Sequence, residues 1–331
     1  MRRRYFIKLL GGTAAGWPIV ALAQQSGGLR RIGVLMITPE SDPEGQGLVR
    51  IFREELQKLG WMEGHNIKTD IRWWTPGDME SMPRLAKELV AQQPDLILSH
   101  GTPSTAALLK ETRTIPIIFA ITADPIGSGF VASFQRPGGN ATGFIVTEPT
   151  ISGKWVELLR EIVPQVARVA ILFNPTTATY SEYWLKSFRA AAASFALKAV
   201  EAPVRNRDDL DSVVAAQAVE PNGGMVVMPD PFTQAHRALI TSLAVRYRIP
   251  AIASNRSFAE PGALLTYGAD IADNFRRAAI YADRILKGAK PGELPVEAPV
   301  KFELVINMKT AKALGLDVPV QLQQRADDVI E

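Results

Sequence analysis

The chain has 331 residues and not one cysteine. Disulfides, thiolate nucleophiles, zinc–thiolate sites and lipidation at an N-terminal cysteine are therefore excluded, and the fold must be stabilised by packing. Histidine is nearly as scarce. His65, His100 and His236 lie far apart and form no His-x-x-x-His pair, so no metal centre is expected. Phosphate-binding and hydrolase signatures are missing too: there is no Walker loop, no Gly-x-Gly-x-x-Gly after a strand and no Gly-x-Ser-x-Gly elbow. The stretch from Arg136 to Gly143 is glycine-rich but lacks the lysine that a phosphate cradle needs. These absences predict a protein without catalysis, metal or cofactor. A Ser-His-Asp arrangement assembled in space from His100 or His236 stays open, because sequence order does not decide it.

Acidic residues are absent from residues 1–23, which carry Arg2, Arg3, Arg4 and Lys8. Beyond them, 33 of the 37 Lys and Arg face 34 Asp and Glu, so the formal +3 of the whole chain becomes −1. No global field favouring nucleic acid remains. Arg3-Arg4-Tyr5-Phe6-Ile7-Lys8 resembles a twin-arginine export leader, with a general secretory leader as the alternative. The apolar stretch that follows is short and softened by Gly11, Gly12 and Gly16, which disfavours a membrane span. Ala21-Leu22-Ala23 supplies a small-x-small cleavage pattern, and cleavage is expected after Ala23. The expected mature protein is exported, has no stable membrane anchor and contains about two domains' worth of chain.

Short β-branched runs then alternate with amphipathic segments, the pattern of a parallel sheet covered by helices on both faces. Ile32 to Met36, Ile67 to Trp73, Leu96 to Leu98 and Ile115 to Ala120 read as strands of one doubly wound half. Val169 to Phe173, Gly224 to Met228 and Ile249 to Ile252 repeat the design, and Ile249-Pro250-Ala251-Ile252 echoes Ile115-Pro116-Ile117-Ile118. A helix from about Ala272 to Lys287 and a late strand at Phe302, Leu304 and Ile306 return the chain across the halves, and repeated crossings make a hinge. The expected architecture is α/β, with two doubly wound parallel-sheet lobes joined by a multi-strand hinge. Lobe 1 is expected at 29–145 plus about 268–298, and lobe 2 at 146–267 plus about 299–331.

In open α/β sheets a ligand lies beyond the carboxyl ends of the strands. The residues there are small, polar and hydrogen-bonding: Thr38, Gly101, Thr102, Ser104, Thr122 and Asp124 from the first half, and Asn174, Asp230, Phe232, Asn255, Tyr267 and Asp270 from the second. Such a set suits reversible binding better than bond-breaking. Gly101 allows close backbone approach, and Ser104 with the helix amides beside it can hold a carboxylate, although Thr102 and Ser104 equally suit plain helix capping. Asp124, Asp230 and Asp270 can pair with an ammonium or serve as turn and cap residues. Phe232 and Tyr267 can stack on a flat group or pack in a core. His100 and His236 read as structural.

The runs His100-Gly101-Thr102-Pro103-Ser104-Thr105, Ala123 to Gly129, Arg136 to Gly143, Phe173-Asn174-Pro175 and Tyr267-Gly268-Ala269-Asp270, followed by Arg276-Arg277-Ala278-Ala279, together resemble one family. That family is the periplasmic substrate-binding proteins of ABC transporters, of the tryptophan/tyrosine type. The resemblance implies a type I periplasmic-binding fold with three interlobe connections and no metal. It also implies a monomer that clamps a small ligand and delivers it to a permease with its ATPase. Aromatic amino acids are the favoured ligands, with another solute, a sensor role or an exported hydrolase as alternatives. By the family pattern Thr102 and Ser104 would hold the carboxylate, Asp124 with Asp230 the amino group, and Asn174, Asn255 and Tyr267 would complete the cleft. Several relatives carry a lipid anchor on an N-terminal cysteine that this chain lacks, which points to a Gram-negative periplasm.

Overall fold

A computed structural model describes residues 28–78 and 80–331, so the expected export leader lies outside the described residues. The first sheet is built in chain order from β1 (Arg30–Met36), α1 (Pro43–Lys58), β2 (Ile67–Trp73), α2 (Ser81–Ala91), β3 (Leu96–His100), α3 (Thr102–Glu111), β4 (Ile117–Thr122) and β5 (Ala141–Ile145). Its five strands are parallel in the order β2-β1-β3-β4-β5. Along β1 the side chains alternate: Ile32, Val34 and Met36 enter one core and Leu35 with Ile37 the other. That two-residue period within a continuous apolar run is what a strand buried on both faces requires.

The second half continues with α4 (Ile151–Ile162), β6 (Arg168–Phe173), α5 (Ser181–Ser194), β7 (Lys198–Pro203), α6 (Asp209–Ala216) and β8 (Gly223–Val227). Next come α7 (Pro231–Ala235), α8 (Arg237–Arg246), β9 (Ala251–Ala253) and β10 (Leu265–Ala269). The order β7-β6-β8-β9-β10 reproduces that of the first sheet strand for strand. The Ile-Pro echo sits at equivalent places: Ile97 N donates to Pro116 O at 2.8 Å and Met225 N to Pro250 O at 2.9 Å, at the entries to β4 and β9. Proline is tolerated at the first step of a central strand because its missing donor is not yet needed there, while its carbonyl still accepts.

After β10 the chain leaves the second sheet, and α9 (Ile271–Leu286) packs on the first, where Phe275, Ala278, Ala279 and Ala282 join Ile32, Val34 and Phe52. Glu297 then pairs beside β5, with Ile145 N donating to Glu297 O at 3.0 Å. The chain finally returns to the second sheet as β11 (Phe302–Asn307), α10 (Met308–Leu314), α11 (Val320–Arg325) and β12 (Asp328–Ile330). β11 runs antiparallel to β10, and β12 parallel to β11. The backbone thus passes between the sheets three times, after β5, at Asp270 and before β11. Each half keeps its own cores, so the two can move relative to one another at little cost in buried apolar surface.

Candidate ligand-binding cleft

The carboxyl ends of both sheets face a common cleft of about 980 Å³, which leads to an inner cavity of about 80 Å³. On the first side, Asp42 caps α1 by accepting from Gly45 N at 2.9 Å, which places Glu44 in the first helical turn on the cleft wall. Gly45 itself has to be small, because a Cβ there would overlap the Thr38 hydroxyl and come within 3.2 Å of Trp73. Gly101, at φ 99°, ends β3 and starts α3, with Thr102 in its first turn. Pro103 has no N–H, so the amides of Thr102 and Ser104 are left without acceptors inside the helix. Apolar walls come from Ile37, Leu48, Ile121, Val146 and Ile271.

Of the strand-end residues singled out in sequence, Thr38, Gly101, Thr102, Asp230 and Asn255 line the inner cavity, and Asp270 lines the outer cleft. Their chemistry differs from what position alone suggests. The Asp230 carboxylate accepts from Asn174 N at 2.8 Å, from Phe232 N at 3.0 Å and from the Thr177 hydroxyl, so both oxygens are committed to holding loops of the second half together. Burial pushes its pKa up to about 6 against those hydrogen bonds. Asp270 caps α9 and pairs with Lys301 at 2.8 Å. Partial burial raises its carboxyl, but the bonds from Lys301 and Asp273 N bring it below its ordinary value. The Thr102 hydroxyl accepts from Ala123 N at 2.9 Å, which leaves its backbone amide for a ligand.

Six others do not line the cleft. Ser104 is fully buried and donates toward His100 O and Gly101 O, at 2.9 and 3.0 Å. Thr122 is buried beside Thr105. Asp124, at φ 43°, accepts from Gly127 N at 2.8 Å in its own turn. Asn174 accepts from Thr176 N and donates to Arg205 O at 3.0 Å. Phe232 packs on His236 with centroids 4.4 Å apart, and Tyr267 stacks on Phe302 at the back of the hinge. Local scaffolding consumes all six.

The structure adds Glu44, His100, Thr147, Tyr180, Gln234 and Ser254 to the cavity wall. His100, expected to be structural, is buried edge-on against Phe275 with no partner for Nδ1. Burial lowers its pKa to about 4, so the ring is neutral. Thr38 Oγ1 is likewise buried and unpartnered. The two halves also meet directly across the cleft: Arg237 donates to Asp42 at 2.7 Å, Gln234 to Glu44 at 2.5 Å and Asn255 to Glu44 at 3.1 Å. The sequence offers no signal for Glu44, which looks like any acid in a helical first turn.

The family model described as ABC transporter substrate binding protein matches residues 34–330. The chain belongs to this family. A curated relative, the tyrosine-binding protein of Clostridioides difficile, is 27% identical over 290 residues, covering 87% of this chain and 81% of the relative. The solved ABC domain of Streptococcus pneumoniae in complex with L-Trp superposes with a TM-score of 0.84 at 26% identity, over 92% of this chain and 100% of that one. A conserved domain protein from Vibrio cholerae gives 0.85 at 27%, over 91% and 100%. The substrate-binding protein is thus of the type I periplasmic-binding fold, and the cleft between its sheets is where that fold places a ligand. Among the described residues no helix is long and apolar enough to cross a membrane, and no cluster of three or more His, Asp or Glu is arranged to hold a metal.

Proposed function

We propose that the protein captures an amino acid or related carboxylate, with an aromatic side chain favoured, and delivers it to an ABC transporter permease with its ATPase. The observation that carries this reading is the inner cavity. Its wall combines the apolar side chains of Ile37, Leu48, Ile121, Val146 and Ile271 with Thr38 Oγ1, His100 Nδ1 and the first-turn amides of α3, polar groups that no protein group satisfies and that a ligand can pair with. The amides and the α3 dipole favour a carboxylate at Thr102 and Ser104 N. Relatives named for tyrosine and solved with L-Trp support the aromatic preference. Residues 1–23 direct export, cleavage after Ala23 leaves a soluble monomer, and the site of action is the periplasm. The gripping halves are 29–145 with about 268–298, and 146–267 with about 299–331, meeting at the three crossings.

Titrating the twenty amino acids while following tryptophan fluorescence and thermal unfolding tests the reading. An aromatic amino acid should bind in the micromolar range or tighter, and at 100 times its Kd it should add about 2.7 kcal/mol of stability. For a chain of this size that is a rise in Tm of roughly 4 °C. Absence of a response from every member of the panel would reject it.

Closure predicts a second result. The Asp42–Arg237 pair spans the two halves and is largely shielded from water. Arg237→Ala should therefore release ligand about tenfold faster in stopped-flow while the association rate changes little. Equal release rates would show that the pair adds nothing to the closed state.

A further inference from the structure

We propose that Glu44 recognises the ammonium group of the ligand and ties that recognition to closure of the halves; this rests on the reading that the cleft takes an amino acid. Two acids line the inner cavity, Glu44 and Asp230. Asp230 is already engaged, since three donors of its own half occupy its oxygens, two on Oδ1 and one on Oδ2. Glu44 is placed differently. It stands on α1 of the first half, lines both the inner cavity and the outer cleft, and its neighbours are the neutral amides of Gln234 and Asn255 from the second half.

No salt bridge reaches Glu44 among the described residues, and the cation nearest in role, Arg237, is taken by Asp42 at 2.7 Å. Burial accordingly holds the Glu44 carboxyl above its ordinary pKa, with hydrogen bonds from Asn255 and Ser257 opposing. A carboxylate withdrawn from water, with neutral amide and hydroxyl donors and only the Arg237 charge already paired to Asp42 nearby, is an incomplete ion pair. A ligand ammonium completes it, with a charge-assisted hydrogen bond in a site that closure has partly dried. The coupling follows from the partners. In an open protein Glu44 is solvated and its bonds to Gln234 and Asn255 are broken, whereas with the ammonium bound, closure costs less because the buried carboxylate is neutralised. Asp124, which sequence position suggested for the amino group, hydrogen-bonds within its own turn outside the cleft.

The test compares wild type and Glu44→Gln by calorimetry with two probes, L-tryptophan and 3-indolepropionate, which shares the ring and carboxylate but has no amine. Wild type should prefer L-tryptophan by about 100-fold, and Glu44→Gln should lose that preference while binding 3-indolepropionate at least as well as wild type. Glu44→Asp, which keeps the charge, should retain the preference with weakened affinity, and it stands in if the glutamine variant misfolds by circular dichroism. A wild-type preference that persists undiminished in Glu44→Gln overturns the role of Glu44 alone. Wild type that binds no amino acid overturns the reading of the cleft, and this inference with it.

Discussion

Gly143→Ala is expected to destabilise the protein by about 4 kcal/mol, lowering Tm by roughly 6 °C, and Gly268→Ala to cost about 2–3 kcal/mol. The two glycines occupy β5 and β10, the equivalent last parallel strands of the two sheets, and each lies against the backbone of its neighbour. A Cβ on Gly143 would overlap the Phe119 carbonyl oxygen and sit 2.7 Å from the Phe119 nitrogen in β4. Its φ of 146° adds strain that an L side chain tolerates poorly. A Cβ on Gly268 would overlap the Ser254 carbonyl oxygen and lie 2.7 Å from its carbon. Backbone atoms of a central strand cannot swing aside as a side-chain end can, so the strands must separate. Gly139 is the internal control. It belongs to the same glycine-rich stretch, but nothing lies within 4 Å of a Cβ built there, and Gly139→Ala should fall within about 0.5 kcal/mol of wild type. Urea unfolding of the three variants checks the series. Equal stabilities for Gly143→Ala and Gly139→Ala would refute the close-approach account.

Those glycines also show where sequence reading reaches and where it stops. The apolar runs of β1, β3, β4, β6 and β8 declare themselves, because strands covered on both faces keep their polar residues to the ends of the run. β7, Lys198–Pro203, and β12, Asp328–Ile330, are edge strands with mostly exposed or half-exposed residues, so they carry no such run and leave no signal. The antiparallel turn of β11 is equally silent, since the strand pattern is the same in either direction. The twin design is legible in the Ile-Pro echo because both copies solve one local problem, a carbonyl accepting at a strand entry. For the site, the rule that ligands lie past strand ends leads to Thr38, Gly101, Thr102, Asn255, Asp230 and Asp270. It cannot say which way a side chain turns. Ser104 and Asn174 follow strands as the rule demands, yet their polar atoms bond to nearby backbone groups. Glu44 and Gln234 enter the cleft from helical first turns, and only the packing of one half on the other brings them together.

Burial of His100 is expected to make the protein acid-sensitive. Its ring is buried at the inner end of the cleft, and burial depresses its pKa from 6.5 to about 4, with the Asp42 charge opposing. An unfolded chain therefore takes up a proton on this residue near pH 6.5, while the folded protein refuses it until about pH 4. The contribution is full above the unfolded value and is lost as pH falls through the folded one. The loss amounts to about 3 kcal/mol between pH 7.5 and pH 4. Asp230 works in the opposite direction over part of this window: its folded pKa is raised to about 6, so it adds stability as pH drops from there toward 3.8. The net curve of the wild type mixes the two, and the variant His100→Gln separates them, since glutamine keeps an amide in the ring's place and has no proton to gain. Urea unfolding of both proteins in steps from pH 7.5 to 4 should give curves that converge toward acid by about 3 kcal/mol. Parallel curves would mean that the imidazole keeps its ordinary value near 6.5 in the native state, and the cavity would then present a cation below that pH. Such a cation would repel the ligand ammonium at Glu44, so this titration also bears on how the cleft reads an amino acid.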